Sequence, residues 1–233
     1  MSGTDQEEYR QIRFRRPPGA AELLLVRHGE SAPQRPGEEQ AMIDGQADPD
    51  LDPVGRRQAE AVADRLSAET LSAVYVTNLR RTAQTAEPLA ARLGITPVVE
   101  PDLREVHLGE WEGGLFRKHV SEGHPLALRM RAEQRWDVIP GAEPAERFAA
   151  RVRRGIAAVA SRHPDQAVAV FTHGGVIGQV LAMATGSRPL SFSGSDNGSI
   201  SHVVVIGDIW MVRRYNDTAH LHPAFTTAPE PVI

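Results

Sequence analysis

The sequence predicts an α/β fold: a single-domain three-layer sandwich with a mostly parallel central sheet, helices on both faces and a small helical lid insertion. Two observations predict it. Leu23-Leu24-Leu25-Val26 and Ala167-Val168-Ala169-Val170-Phe171 are apolar runs without polar alternation, the pattern of strands buried on both faces of a parallel sheet. Each run ends in a histidine followed by glycine, Arg27-His28-Gly29 and Thr172-His173-Gly174-Gly175, and a helical pattern from Val176 to Ala184 follows the second. Ligands of open α/β sheets bind beyond the carboxyl ends of the strands, so neighbouring strands of this kind bring His28 and His173 into one site. A lone histidine at a strand end more often caps the backbone; the repeated arrangement points to a shared function.

The composition agrees with one domain. The 233 residues are 41% hydrophobic and 24% charged, with a formal net charge of −4, enough chain to bury a sizeable core. There is no cysteine, which excludes disulfides and any thiolate nucleophile. No apolar run approaches the roughly 20 residues that span a bilayer, and the N-terminus lacks the apolar segment of a signal peptide. A cytoplasmic protein with no membrane partner is the expectation. Residues 1–20 read as a mobile arm carrying Arg10, Arg13, Arg15 and Arg16 before Pro17-Pro18-Gly19. That basic cluster is short and the chain mildly acidic, so no nucleic-acid partner is expected.

The domain is expected over residues 21–223. Ser31 to Asp52 is loop-like and long enough to be functional. Asp52-Pro53 supplies a helix N-cap and first position, and Ala59, Val62, Ala63 and Leu66 continue at helical spacing. Leu71 to Val76 is a strand candidate, followed by a helix from the Arg80-Arg81 pair to Gly94, which Pro88 is expected to kink or restart. The two arginines face different sides of that helix, so one aims at the site and the other at solvent. Pro97 to Glu100 reads as a short strand leading into Glu105, at a strand end where a partly buried carboxyl near other acids would retain its proton. Gly114 to Pro140 reads as one or two helices forming a lid, set at about 114–142. His119 and His124 lie in it without a metal-ligand spacing, so neither metal nor cofactor is expected. An amphipathic helix carries Phe148, Val152, Ile156 and Val159. A hairpin is expected from Ile200–Ile206 and 209–215, and residues 224–233 read as a tail.

Taken in order, these segments resemble the histidine phosphatase superfamily, also called phosphoglycerate mutase-like, in its phosphatase-type branch. The resemblance rests on Arg27-His28-Gly29, Gly45 to Asp48, Leu51 to Ala59, Thr77 to Ala86, Leu103 to Gly113 and Asn216 to Leu221. It spans roughly residues 22–221. It implies a metal-independent phosphomonoester hydrolase in which His28 becomes a phosphohistidine and Glu105 acts as general acid and base. His173, Arg27 and Arg81 would hold the phosphate, aided by amides at the Gly29 and Gly174 turns. Gln34 stands where the family often has asparagine, and Glu143 lies in a partial match to a Gly-Glu-Ser motif. Leu108 and Phe116 align with a tyrosine and a lysine of the cofactor-dependent mutases, which favours hydrolysis over mutase action. The alternatives are such a mutase or a catalytically weak phospho-ligand binding protein. The implied partner is a small phosphorylated substrate, and a homodimer through the edge strand of the C-terminal hairpin is a candidate assembly.

Overall fold

The computed structural model describes residues 9–34, 41–222 and 224; most of the expected tail and part of the arm lie outside them. Eight strands and six helices follow in order: β1 Ala21–Arg27, β2 Met42–Ile43, β3 Gln46–Ala47, α1 Pro53–Leu66, β4 Leu71–Val76, α2 Arg80–Leu93, β5 Val98–Val99, α3 Leu115–Ser121, α4 Pro125–Glu133, α5 Ala145–Arg162, β6 Ala167–Thr172, α6 Gly174–Thr185, β7 Ile200–Ile206 and β8 Ile209–Asp217. The main sheet has the order β5-β4-β6-β1-β7-β8. Its first four strands are mutually parallel, and β7 and β8 run antiparallel at one side.

The unbroken apolar runs are explained by two buried faces. Leu23 and Leu25 of β1 pack with Phe148, Val152, Ile156 and Val159 of α5 and with Val176, Ile177, Val180 and Leu181 of α6. Leu24 and Val26, pointing the other way, pack with Val62, Ala63 and Leu66 of α1 and with Ala86 and Leu89 of α2. Alternate side chains thus serve opposite layers.

Local signals behave as their chemistry requires, with one correction. Asp52 accepts the Gly55 amide at 2.7 Å and Pro53 opens α1. Pro88, however, does not restart α2, which runs from Arg80 to Leu93 as one helix with the proline inside it. Burial of Ala86, Leu89 and Ala90 against the sheet layer outweighs the one backbone hydrogen bond that proline forfeits. Within the loop after β1, β2 and β3 form a small antiparallel hairpin. Asp44 and Gly45 form its tip, both at positive φ, as a type I′ turn requires. No helix among the described residues is long and apolar enough to cross a membrane.

Candidate active site

β1 and β6 are adjacent and parallel, with Arg27 opposite Thr172. Each histidine is therefore the first residue beyond its strand, and the rings stand 5.2 Å apart, centroid to centroid, at 61°. Both are buried. His28 Nδ1 lies 2.7 Å from the Gly29 carbonyl oxygen. A carbonyl only accepts, so Nδ1 carries the proton and Nε2 keeps its lone pair. Burial, followed by the charges of Arg81 and Arg27, pushes the His28 imidazole well below the ordinary histidine value. His173 is lowered in the same way, by burial first and then by Arg81 and His28. Both rings are consequently neutral near pH 7. His173 Nε2 lies 3.1 Å from Thr77 Oγ1, while its buried Nδ1 has no protein partner.

Two arginines converge on this pair. Arg27 ends β1 and donates to the Ser195 carbonyl, while its Nε is buried without a protein partner. Arg81, in the first turn of α2, donates to the Ala47 carbonyl at 3.0 Å. Burial lowers both guanidinium groups, yet arginine keeps its charge across the physiological range. The Arg80-Arg81 pair divides as the helix geometry requires: Arg81 is buried, whereas Arg80 is half exposed and pairs with Asp48 at 3.0 Å and Asp50 at 3.4 Å.

Glu105 arrives from the segment after β5. Its carboxylate accepts the Val106 amide at 3.0 Å and the Gly175 amide at 3.1 Å. Other acids were expected around it, but its hydrogen-bond partners are backbone amides. The fit depends on Gly175, since a Cβ there would stand 2.4 Å from Glu105 Oε1. A cleft of about 230 Å³ is lined among others by Arg27, His28, Gln34, Arg81, Glu105 and Arg117, while His173 is fully buried beside His28 and is not part of the cleft wall. Leu108 and Phe116 line the cleft too, as does Trp136 from the segment carrying α3 and α4.

The turn after His28 is placed differently from the expectation of a phosphate donor. The Gly29 amide donates to Thr85 Oγ1 at 2.9 Å and the next amide, of Glu30, to Gln58 Oε1 at 2.8 Å, so the turn after His28 is fastened to α2 and α1. A Cβ on Gly29 would meet the Gly55 carbonyl oxygen at 2.5 Å. Gly174 lines a second cavity beside the cleft, and the amide of Gly175 belongs to Glu105. His119 and His124 stack on Trp111, with centroids 4.7 and 5.3 Å away.

Several residues support the site from behind. Arg151 of α5 donates to the carbonyls of Asp102, Arg104 and Glu105 and forms a two-pronged pair with Glu143 at 2.7 and 2.8 Å. Burial works to raise the Glu143 carboxyl, but its hydrogen bonds with Arg151 and that charge hold it below the usual range. Gln46 Nε2 donates to the Glu105 and Val106 carbonyls at 3.0 and 3.2 Å. Asn197 Nδ2 donates to the His28 carbonyl at 2.8 Å. The partial motif around Glu143 was a signal for the first pair; the others act across separations no local pattern records.

The model of the histidine phosphatase superfamily (branch 1) matches residues 23–218. Phosphoglycerate mutase-like protein 4 of Arabidopsis thaliana is 34% identical over 208 residues, covering 86% of this chain and 87% of the relative. A metal-independent phosphoserine phosphatase of the same plant is 34% identical over 204 residues, covering 86% and 83%. Among solved structures, a mycobacterial glucosyl-3-phosphoglycerate phosphatase superposes with a TM-score of 0.68 at 26% identity, covering 84% of this chain and 98% of that one. With the paired histidines at adjoining strand ends and the match running over nearly the whole sheet, the chain belongs to the histidine phosphatase superfamily, branch 1.

Proposed function

We propose that the chain is a metal-independent phosphomonoester hydrolase working through a phosphohistidine. The observation that carries this reading is the hydrogen bond from His28 Nδ1 to the Gly29 carbonyl, which leaves Nε2 of a neutral, buried ring as nucleophile beside two arginines. Nε2 attacks phosphorus while the ester P–O bond breaks, and Glu105 hands its proton to the departing alkoxide. Arg27 and Arg81 neutralise charge on the equatorial oxygens. His173 carries its proton on Nδ1, the buried nitrogen without a protein partner, and donates it to a phosphate oxygen, with Nε2 accepting from the Thr77 hydroxyl in that tautomer. Water then attacks the phosphohistidine, Glu105 takes its proton, the N–P bond breaks, and inorganic phosphate leaves with His28 restored.

The names of relatives support hydrolysis: one is a metal-independent phosphoserine phosphatase and another a glucosyl-3-phosphoglycerate phosphatase. A mutase is the second reading, because Arg117 reaches the cleft, donating to Ser31 Oγ at 2.9 Å, and is a cation that could grip a substrate carboxylate. The domain is taken as residues 21–223, with 114–142 serving as lid, and the protein as cytoplasmic and acting on a small phosphorylated substrate. The test runs phosphate release beside coupled interconversion of 3- and 2-phosphoglycerate on one preparation. Expected are release unaffected by chelator, acid-labile phosphate on His28, and no appreciable interconversion even with 2,3-bisphosphoglycerate. Bisphosphoglycerate-stimulated interconversion faster than hydrolysis would replace this reading with the mutase one.

A further inference from the structure

We propose, resting on the phosphatase reading, that the alcohol half of the substrate is an apolar, ring-sized group ending in an anion, bound in the second cavity. That cavity, of about 280 Å³, shares Arg27, Glu105, Phe116 and Trp136 with the catalytic cleft. Glu105 lies at the junction, so an oxygen receiving its proton carries the rest of the alcohol towards the second cavity. Its walls are Val120, Met130, Pro189 and Leu190 beside the two aromatic rings, and glycines of α6 form part of its lining. An apolar cavity of roughly 150 Å³ already takes a benzene ring, so this space accepts a ring with further atoms attached.

The polar groups narrow the class. Apart from Arg27 and Glu105, the polar side chains lining this cavity are Arg131 and Ser193, too few for an alcohol rich in hydroxyls. Arg131 is exposed, and among the described residues its guanidinium has no ion pair, which suits an anion at the far end of the ligand. The carboxylates lining the two cavities are Glu105 and Glu112. Glu112 is committed to the Ala47 and Leu108 amides, at 3.1 and 2.8 Å. An ammonium group, as on an amino-acid ester, would therefore have only the proton donor itself to pair with. The chemistry selects against phosphoserine even though relatives carry that activity in their names.

The test compares kcat/KM for ethyl phosphate, 2-phenylethyl phosphate, its para-carboxylate and O-phosphoserine. The phenyl ring should raise kcat/KM about thirtyfold over ethyl, the value for burying one aromatic side chain, and phosphoserine should fall below phenylethyl. The carboxylate should add about fivefold more, an increment lost in Arg131→Met and regained in Arg131→Lys. Equal constants for ethyl and phenylethyl esters, or phosphoserine as the better substrate, would overturn the proposal while leaving the phosphatase intact. Loss of the carboxylate increment in Arg117→Met but not in Arg131→Met would also overturn it, by putting the anion in the first cleft. Absence of phosphate release from every ester would overturn the phosphatase reading instead. Calorimetric affinities of ethyl- and 2-phenylethylphosphonate then decide the cavity separately, tighter binding of the phenyl compound supporting it and equal binding refuting it.

Discussion

Around the phosphate position the nucleophile, the two arginines and the proton donor are held from behind, whereas around the alcohol position Arg131 stands exposed on a separate helical segment. His28 is fixed by Gly29, Arg81 by Ala47, Arg27 by Ser195 and Glu105 by two amides. Arg131, by contrast, comes from α4 and is exposed at the second cavity. The difference follows from the tasks. Stabilising a transition state requires dipoles and charges that need no reorganisation, while accepting an alcohol requires a surface that can vary without moving the nucleophile. Substitutions at the first end should act on chemistry, and those at the second on choice of substrate.

The sharpest attempt to break that division is His28→Ala, expected to lower turnover by roughly 10⁴-fold or more for every ester, since no neighbouring group can take over the nucleophile's part. Near wild-type turnover in the folded variant would remove the mechanism. Glu105→Gln should cost roughly 10²–10⁴-fold on alkyl esters but far less on aryl esters, whose leaving groups need no proton. Equal losses on both would deny Glu105 its acid role. For Arg81→Ala and His173→Ala the expected loss is roughly 10²–10³-fold, little dependent on the alcohol, and steady-state kinetics with an alkyl and an aryl ester checks it.

A smaller effect sharpens the comparison at the support behind Glu105. Arg151→Ala frees the Asp102–Glu105 carbonyls and should reduce kcat about tenfold on alkyl esters, with a lesser effect on aryl ones. Uniform losses would mean that Arg151 only stabilises the fold. Acid stability probes the histidines without substrate. Both are neutral in the folded chain, so below about pH 6.5 the unfolded chain binds more protons. Their contribution is complete above that pH and declines as pH falls, by at most about 2.7 kcal/mol per pH unit for the two together. Urea unfolding at pH 7, 6 and 5 should show this decline, and a shallower one in His28→Asn. Identical slopes in both proteins would contradict a neutral, buried His28.

Legibility in the sequence divides along the same line. The strand ends were readable because a buried parallel strand needs a continuous apolar run, and β1 and β6 each stop on the residue that carries chemistry. Arg81 and Glu105 were reachable through ordered motifs of the resemblance. Arg151 was not, because on an amphipathic helix with Arg147, Arg153 and Arg154 nearby it looks like any solvated charge; only folding sets it against the Asp102–Glu105 carbonyls. Pro88 misled for a related reason, as its local penalty is outweighed by packing the sequence does not display. Gly29 was given a role its amide cannot fill, because Thr85 lies 56 residues away. The cavity beyond Glu105 was invisible, being assembled from α3, α4, α6 and the loop after it.

The crossing of Gly29 and Gly55 has a consequence for hydrogen exchange. The amides of Gly29 and Glu30 belong to a segment without regular secondary structure, yet they are donated into α2 and α1, and the backbones lie too close for a side chain between them. The Gly29 amide, buried against Thr85, becomes labile only when the loop and α2 move apart, whereas the Glu30 amide is held in an exposed bond to the Gln58 side chain. The Gly29 amide should exchange with deuterium as slowly as the interior of α2, and more slowly than the Glu30 amide or the amides of α3. The loop that carries the nucleophile is thus tied to a helix packed against the sheet, although it has no regular structure of its own.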